Sequence, residues 1–159
     1  MLLESLFAFF ATLGFGILFN IKGKNLFYAA LGGGLSWLLS SSFINNGFSV
    51  TSSFFVTSVI FSIYSEIFAR ILKTPVTTLV ICALIPLVPG GGMYYTMYEA
   101  VTGNIMKSLE LGIQTLANAG ALSLGIILVS TVTRILLGAK KRKEFLYLDK
   151  LNKKRKNLS

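Results

Sequence analysis

The residues best placed to do chemistry lie in one short stretch, Ile85 to Tyr95, which reads IPLVPGGGMYY. Proline removes a backbone donor and glycine weakens helix, so Pro86, Pro89, Gly90, Gly91 and Gly92 predict that no continuous helix runs through Pro89–Gly92. A helix restarting over Met93–Val101 leaves its first amide N–H groups unpaired, at the positive end of its dipole. That end suits a carboxylate, and glycine lets a ligand approach the backbone closely. Tyr94 and Tyr98, one turn apart, add hydroxyls, and Glu99 is the next charged residue. The chemistry on offer is non-covalent capture of a small anion beside an exchangeable proton. The same residues also fit a kinked structural helix, with the tyrosines in an interfacial belt and Glu99 in solvent.

A second constellation is a stripe. Ser58, Ser62, Glu66 and Arg70 recur every four residues and share one helical face. Glu66 precedes Arg70 by one turn, the favourable order for an intrahelical ion pair. A carboxylate embedded in a membrane can relay protons, whereas a pair near a helix end can equally be a topological anchor with a snorkelling arginine. Gln114 and Asn118, also a turn apart, can bind a polar ligand or hold two helices together.

Enzymatic chemistry is poorly supported. There is no histidine, so there is no Ser–His dyad. Asp149 is the only aspartate, which rules out an intramembrane aspartate pair, and Cys82 alone in an apolar run reads as a small hydrophobe. Cys/His metal sites fail on inventory, and the glycines lack the lysine and serine of a phosphate loop. No cofactor is expected.

The elements that position these groups follow from composition. Of 159 residues, 53% are hydrophobic and 13% charged, about half the charge of a soluble domain. The expected fold is all-α, a polytopic transmembrane helix bundle of about five spans over residues 1–138, followed by a basic cytoplasmic tail over 139–159. Ser5–Ile21 is uncharged and reads as the first span rather than a cleaved leader, since no positive region precedes it. Asn45-Asn46-Gly47 divides a long apolar run into spans at Leu26–Ile44 and Val50–Leu72. Gly32-Gly33-Gly34 lies within the former, where it lets another helix come close. The fourth span begins after Lys73-Thr74-Pro75 and is the broken one. Val76 to Val88 reaches about 20 Å, short of a hydrocarbon core of about 30 Å, so the break falls inside the membrane. Broken backbone at that depth is tolerated only when buried in protein or lining a cavity, as in the discontinuous helices of transporters. Ile105–Thr115 reads as an interfacial helix and Leu116–Leu137 as the last span, with a small-residue ladder at Ala117, Ala121 and Gly125.

The net charge of +9 sits mostly in the tail: Arg134 to Ser159 carries ten basic residues against Glu144 and Asp149. The tail reads as a topology signal and a contact for anionic lipid; it has no recognisable nucleic-acid module, so no nucleic-acid partner is expected. Lys22 and Lys24, Arg70 and Lys73, and the tail fall on one side if there are five spans, with the N-terminus outside and the C-terminus cytoplasmic.

Pro86, Pro89, Gly90 and Tyr94, followed by Gly103-Asn104 and a glycine-containing last span, carry a resemblance to the threonine/serine exporter family, in particular to the small membrane subunit of its split systems. The resemblance spans roughly residues 5–137 by arrangement of spans. It implies export of threonine, serine or a small dicarboxylate such as succinate from a cell membrane, driven by the proton gradient and requiring a larger partner subunit of the same family. With the reading of the break and the stripe above, the expected substrate contacts are Pro86, Pro89, Gly90, Gly91, Gly92, Tyr94, Tyr98 and Asn104, with Glu99, Glu66 and Arg70 as the candidates for proton coupling. A membrane scaffold that docks a partner through its glycine faces, or a passive channel, are the alternative readings.

Overall fold

The structure is a computed structural model that describes the backbone of residues 1–156 and the side chains of residues 1–137. The side chains of the basic tail lie outside the described residues. Six helices follow one another: α1 Leu2–Leu18, α2 Lys24–Asn45, α3 Val50–Ile71, α4 Val76–Leu84 continued by a 3-10 turn at Ile85–Leu87, α5 Gly90–Val101 and α6 Ile105–Lys156. No strand occurs among the described residues. Three helices are long and apolar enough to cross a membrane: α2, α3 and the stretch Ile105–Leu137 of α6. The pair α4/α5, bent by 49°, makes a fourth candidate. The first expected span forms as the 17-residue α1, about 26 Å long against a hydrocarbon core of about 30 Å.

Four of the helices end in the same way. The residue after the C-cap takes a left-handed backbone, at Asn20 (φ 57), Gly47 (φ 91), Lys73 (φ 51) and Gly103 (φ 89). The following amide then reaches back to a carbonyl of the last turn: Ile21 to Gly16, Phe48 to Phe43, Thr74 to Ala69 and Asn104 to Glu99. This Schellman pattern satisfies the orphan carbonyls from within the chain. The helix ends therefore need little from the solvent, which suits an apolar surrounding.

α2 is the centre of the packing, and its three glycines set the distances. A methyl group at Gly32 would stand 3.1 Å from the Ala83 side chain on α4, and one at Gly34 would stand 3.0 Å from Phe9 on α1. A methyl at Gly33 would overlap the Thr12 side chain. Close approach lets the Ser36 hydroxyl donate to the Ala83 carbonyl at 2.6 Å, just where α-helical bonding gives way to the 3-10 turn before Pro86. The Ser40 and Ser53 hydroxyls pair at 3.0 Å between α2 and α3. Phe61, Val80, Ala83, Leu84, Leu87 and Leu122 fill the apolar core between α3, α4 and α6.

Two expectations change. No break separates Ile105–Thr115 from Leu116–Leu137: α6 is one helix through both. Thr115 bonds back to the Leu111 carbonyl, no proline or strong turn signal interrupts the run, and α5 packs along its first part, with Gly92 against Thr115 and the Ser108 hydroxyl donating to the Thr96 carbonyl. In the proposed ladder Ala121 and Gly125 are buried but Ala117 is exposed. The Thr51 hydroxyl at the start of α3 donates to Asn118 at 2.6 Å, and Gly125 packs on Ser58. α3 and α6 thus run side by side in the same direction. The first turns of α6, with α5 against them, extend past the start of α3 by about 18 Å at the usual helical rise.

Gly33→Ala is expected to lower the stability or yield of inserted protein by about 1–3 kcal/mol, the cost of overpacking. Gly14→Ala is the control, because nothing lies within 4 Å of the added methyl. Ser36→Ala leaves the Ala83 carbonyl without its donor and should cost a further ~1–3 kcal/mol. Thermal unfolding of the detergent-solubilised variants checks both.

Candidate functional site

The break starts at Pro86, which has no N–H to give to the helix. The chain tightens into the 3-10 turn, Val88 N–H bonds the Ile85 carbonyl at 3.1 Å, and Gly90 N–H turns back to the Val88 carbonyl at 2.7 Å. Pro89 is the N-cap of α5. The three glycines, expected within the break, instead form the first turn of α5. The non-helical part is shorter than anticipated because Pro89 already supplies the change of direction. Among the described residues the amides of Gly91 and Gly92 have no hydrogen-bond acceptor, while the Met93 amide is already satisfied by Pro89. Nothing lies within 4 Å of a methyl placed on Gly90 or Gly91. The approach is open at Gly91, as anion binding at a helix N-terminus requires, whereas Gly92 packs on Thr115.

The height of the break follows from its neighbours. Ala83 is level with Ser36, in the middle of α2. Gly92 is level with Thr115 of α6, just beyond the Asn118–Thr51 bond at the start of α3. The irregular backbone therefore runs from mid-height of the bundle to one end of it. Val88 is 54% exposed, and Gly90 and Gly91 are exposed too.

On α5, Tyr94 and Tyr98 stack with ring centroids 6.2 Å apart, and both rings are exposed. Glu99 faces the other way, into the α5–α6 turn. Its side chain is 11% exposed; Oε1 receives Lys107 Nζ at 2.8 Å and Oε2 receives Asn104 Nδ2 at 2.8 Å. Asn104 and Glu99 are thus brought together with each other and not with the glycines. Both carboxylate oxygens are occupied in tying the turn. Lys107 was legible only once Gly103-Asn104 is read as a tight turn between antiparallel helices.

Glu66 and Arg70 form the expected ion pair at 2.8 Å. They lie near the end of α3, at the opposite end of the bundle from the α5 N-terminus. Ser58 donates to Phe55 and packs against Gly125. Ser62, with Thr57 and Ser65 on the same helix, is buried with no hydrogen-bond partner. Asn118 serves as helix glue through Thr51, and Gln114 is exposed. Thr77 of α4 and Ser130, Thr133 and Arg134 of α6 line a cleft together with Glu66 and Arg70. Sequence spacing gave no hint of that meeting, because it joins three helices far apart in the chain.

Two polar sites thus stand at the two ends of one apolar bundle. One offers free amides and the other paired charges. No curated protein and no solved structure matches the chain. Residues 4–132 match the family described as Threonine/Serine exporter, ThrE. That match takes in the broken α4/α5 pair and the paired charges of α3 alike, and it extends over most of the chain, so the chain belongs to the threonine/serine exporter family.

Proposed function

We propose that this chain is a subunit of a secondary transporter that exports a small polar metabolite bearing a carboxylate, an amino acid such as threonine or serine or a small dicarboxylate such as succinate. The observation that carries the reading is the broken helix pair. Its second half opens with two unpaired amides, at Gly91 and Gly92, on a side where no other atom of the chain stands in the way of Gly91. A substrate carboxylate would sit on those amides, with the Tyr94 and Tyr98 hydroxyls beside it. Pro86 and Pro89 fix the direction of the break, and Asn104 shapes the turn at the far end of α5. Export is coupled to protons through Glu66, with Arg70 as its ion-pair partner, or through Glu99.

A larger partner subunit of the same family completes the site. Irregular backbone does not face lipid, because its polar groups would go unpaired. Yet Val88, Gly90 and Gly91 are exposed on this chain, and α5 packs chiefly on α6, leaving Met93, Tyr94, Met97 and Val101 uncovered. Another protein surface is the cover that meets both needs. With α1 and the α4/α5 pair each crossing once, the chain has five spans, its N-terminus outside and its basic C-terminal tail in the cytoplasm against anionic lipid.

Export measured per inserted molecule tests the cradle. Gly91→Leu has room in this chain alone, so insertion should be normal while export falls at least about tenfold through the lost approach to the backbone. Tyr94→Phe should cost about 0.5–1.5 kcal/mol in apparent affinity, the worth of one hydrogen bond. Normal export by Gly91→Leu would reduce the break to a kink. Transport by the purified chain alone in liposomes would remove the need for a partner.

Topology is checked by a reporter fused after Ser159. A cytoplasmic signal is expected; a signal from the far side would turn the α4/α5 pair into a re-entrant hairpin.

A further inference from the structure

Between α4 and α6, over the last turns of α3, lies a cleft of about 520 Å³, a size usual for small-ligand sites. Its lining brings together one carboxylate, two guanidinium groups and three hydroxyls: Glu66, Arg70, Arg134, Thr77, Ser130 and Thr133. Glu66 is the most enclosed of the charged groups, with its side chain 15% exposed. Its Oε2 accepts from Arg70 at 2.8 Å, whereas Oε1 has no partner among the described residues. Arg134 has no acidic partner among the described residues. Arg70 takes up only one oxygen of Glu66, so the cleft lining keeps one open carboxylate oxygen and one guanidinium without an acidic partner among the described residues.

That combination is selective. A bare anion would satisfy Arg134 but meet Glu66 with like charge. A cation would do the reverse. An α-amino acid carries an ammonium and a carboxylate on one carbon and can address both. Guanidinium groups hold carboxylates by paired N–H donors, and a charged group facing a cavity inside a membrane protein is a functional site by default.

We propose that this cleft captures the zwitterion of an α-amino acid, with its carboxylate on Arg134, its ammonium on Glu66 Oε1 and a side-chain hydroxyl beside Ser130 and Thr133. The assignment rests on the export reading and sharpens it, because a dicarboxylate would bring a second negative charge to Glu66. With the tail in the cytoplasm the cleft faces the compartment from which cargo is loaded, and the α5 N-terminus stands at the exit. Ammonium and proton would then compete for one carboxylate, which gives the exchange of proton for substrate a single address.

The test uses the membrane complex that the full chain forms in cells, purified into phosphatidylcholine nanodiscs, with radiolabelled L-threonine as the probe. Threonine should bind, and L-threoninamide, N-acetyl-L-threonine and succinate should each compete at least about tenfold less well, since each lacks or misplaces one charge. Arg134→Gln and Glu66→Gln should each weaken threonine binding by at least about tenfold. Because Glu66→Gln also strips Arg70 of its partner and risks misfolding, Thr133→Val serves as a second variant. It keeps the shape and should weaken threonine about two- to tenfold while leaving alanine unchanged. Unchanged threonine affinity in Arg134→Gln and Thr133→Val, or no threonine binding by the wild-type complex, would overturn the assignment. So would displacement of threonine by phosphatidylglycerol added to the nanodiscs, which would make the cleft a lipid phosphate site. If the wild-type complex exports and depends on Gly91 while these variants bind normally, the cleft alone is wrong. If the variants lose binding but Gly91→Leu exports normally, the cradle alone is wrong.

Discussion

A carbonyl freed inside an apolar bundle has to find a donor, and the way this chain meets that demand governs much of the rest. Pro86 ends regular helix bonding in α4, and the Ser36 hydroxyl takes up the Ala83 carbonyl at 2.6 Å. Serine is short, so the bond forms only if α2 and α4 nearly touch. Gly32 makes that approach possible on the α4 side, while Gly33 and Gly34 let α1 settle on the same helix. The proline break and the triple glycine of α2 are therefore one device, split between two parts of the chain. Had α2 carried alanines there, Thr12 and Phe9 would be pushed outward and Ser36 would lose its reach.

The same demand shapes the outer parts of the molecule. Schellman closures at Asn20, Gly47, Lys73 and Gly103 leave short, self-satisfied turns. Glu99, Asn104 and Lys107 then lock the last of these turns and hold α5 against α6. What the chain does not supply is a cover for the break itself. Val88, Gly90 and Gly91 are exposed, whereas the hydroxyls of Ser36, Ser40 and Ser53 on α2 and α3 are buried and bonded. That contrast locates an unfinished surface in an otherwise closed structure.

Helices α2 and α3 were legible within two residues because each is a long uncharged run bounded by turn residues. The proline break was legible because proline acts locally. Its exact form was not: glycine disfavours helix in isolation, but Gly90–Gly92 sit in a first turn, where amides have no i−4 carbonyl to reach, and Gly92 is pinned by Thr115 of α6. The continuity of α6 was hidden for a related reason. Lys107, Glu110 and Gln114 looked too polar to join an apolar span, but Lys107 is neutralised by Glu99 from α5. The charged cleft lay furthest from view, since Thr77, Arg134 and Glu66 meet only through the packing of α4 and α6 on α3.

α3 joins these features, and its surface explains how they can work together. It meets α2 and α6 at serine, threonine and glycine contacts, such as Ser40 on Ser53, Thr51 on Asn118 and Gly125 on Ser58, while towards α4 it turns the apolar side chain of Phe61. Interhelical hydrogen bonds in membranes are individually modest, averaging about 0.6 kcal/mol. Thr57, Ser62 and Ser65 contribute none in this arrangement, though each can turn to its own helix's i−4 carbonyl or to a neighbour. A face of this kind holds its neighbours closely without interlocking large side chains, so a small shift exchanges one set of weak hydroxyl bonds for another. A leucine-packed interface would have to open voids to move in the same way. The hydroxyl face runs from the start of α3, beside the α5 end of the break, to Glu66 at the cleft.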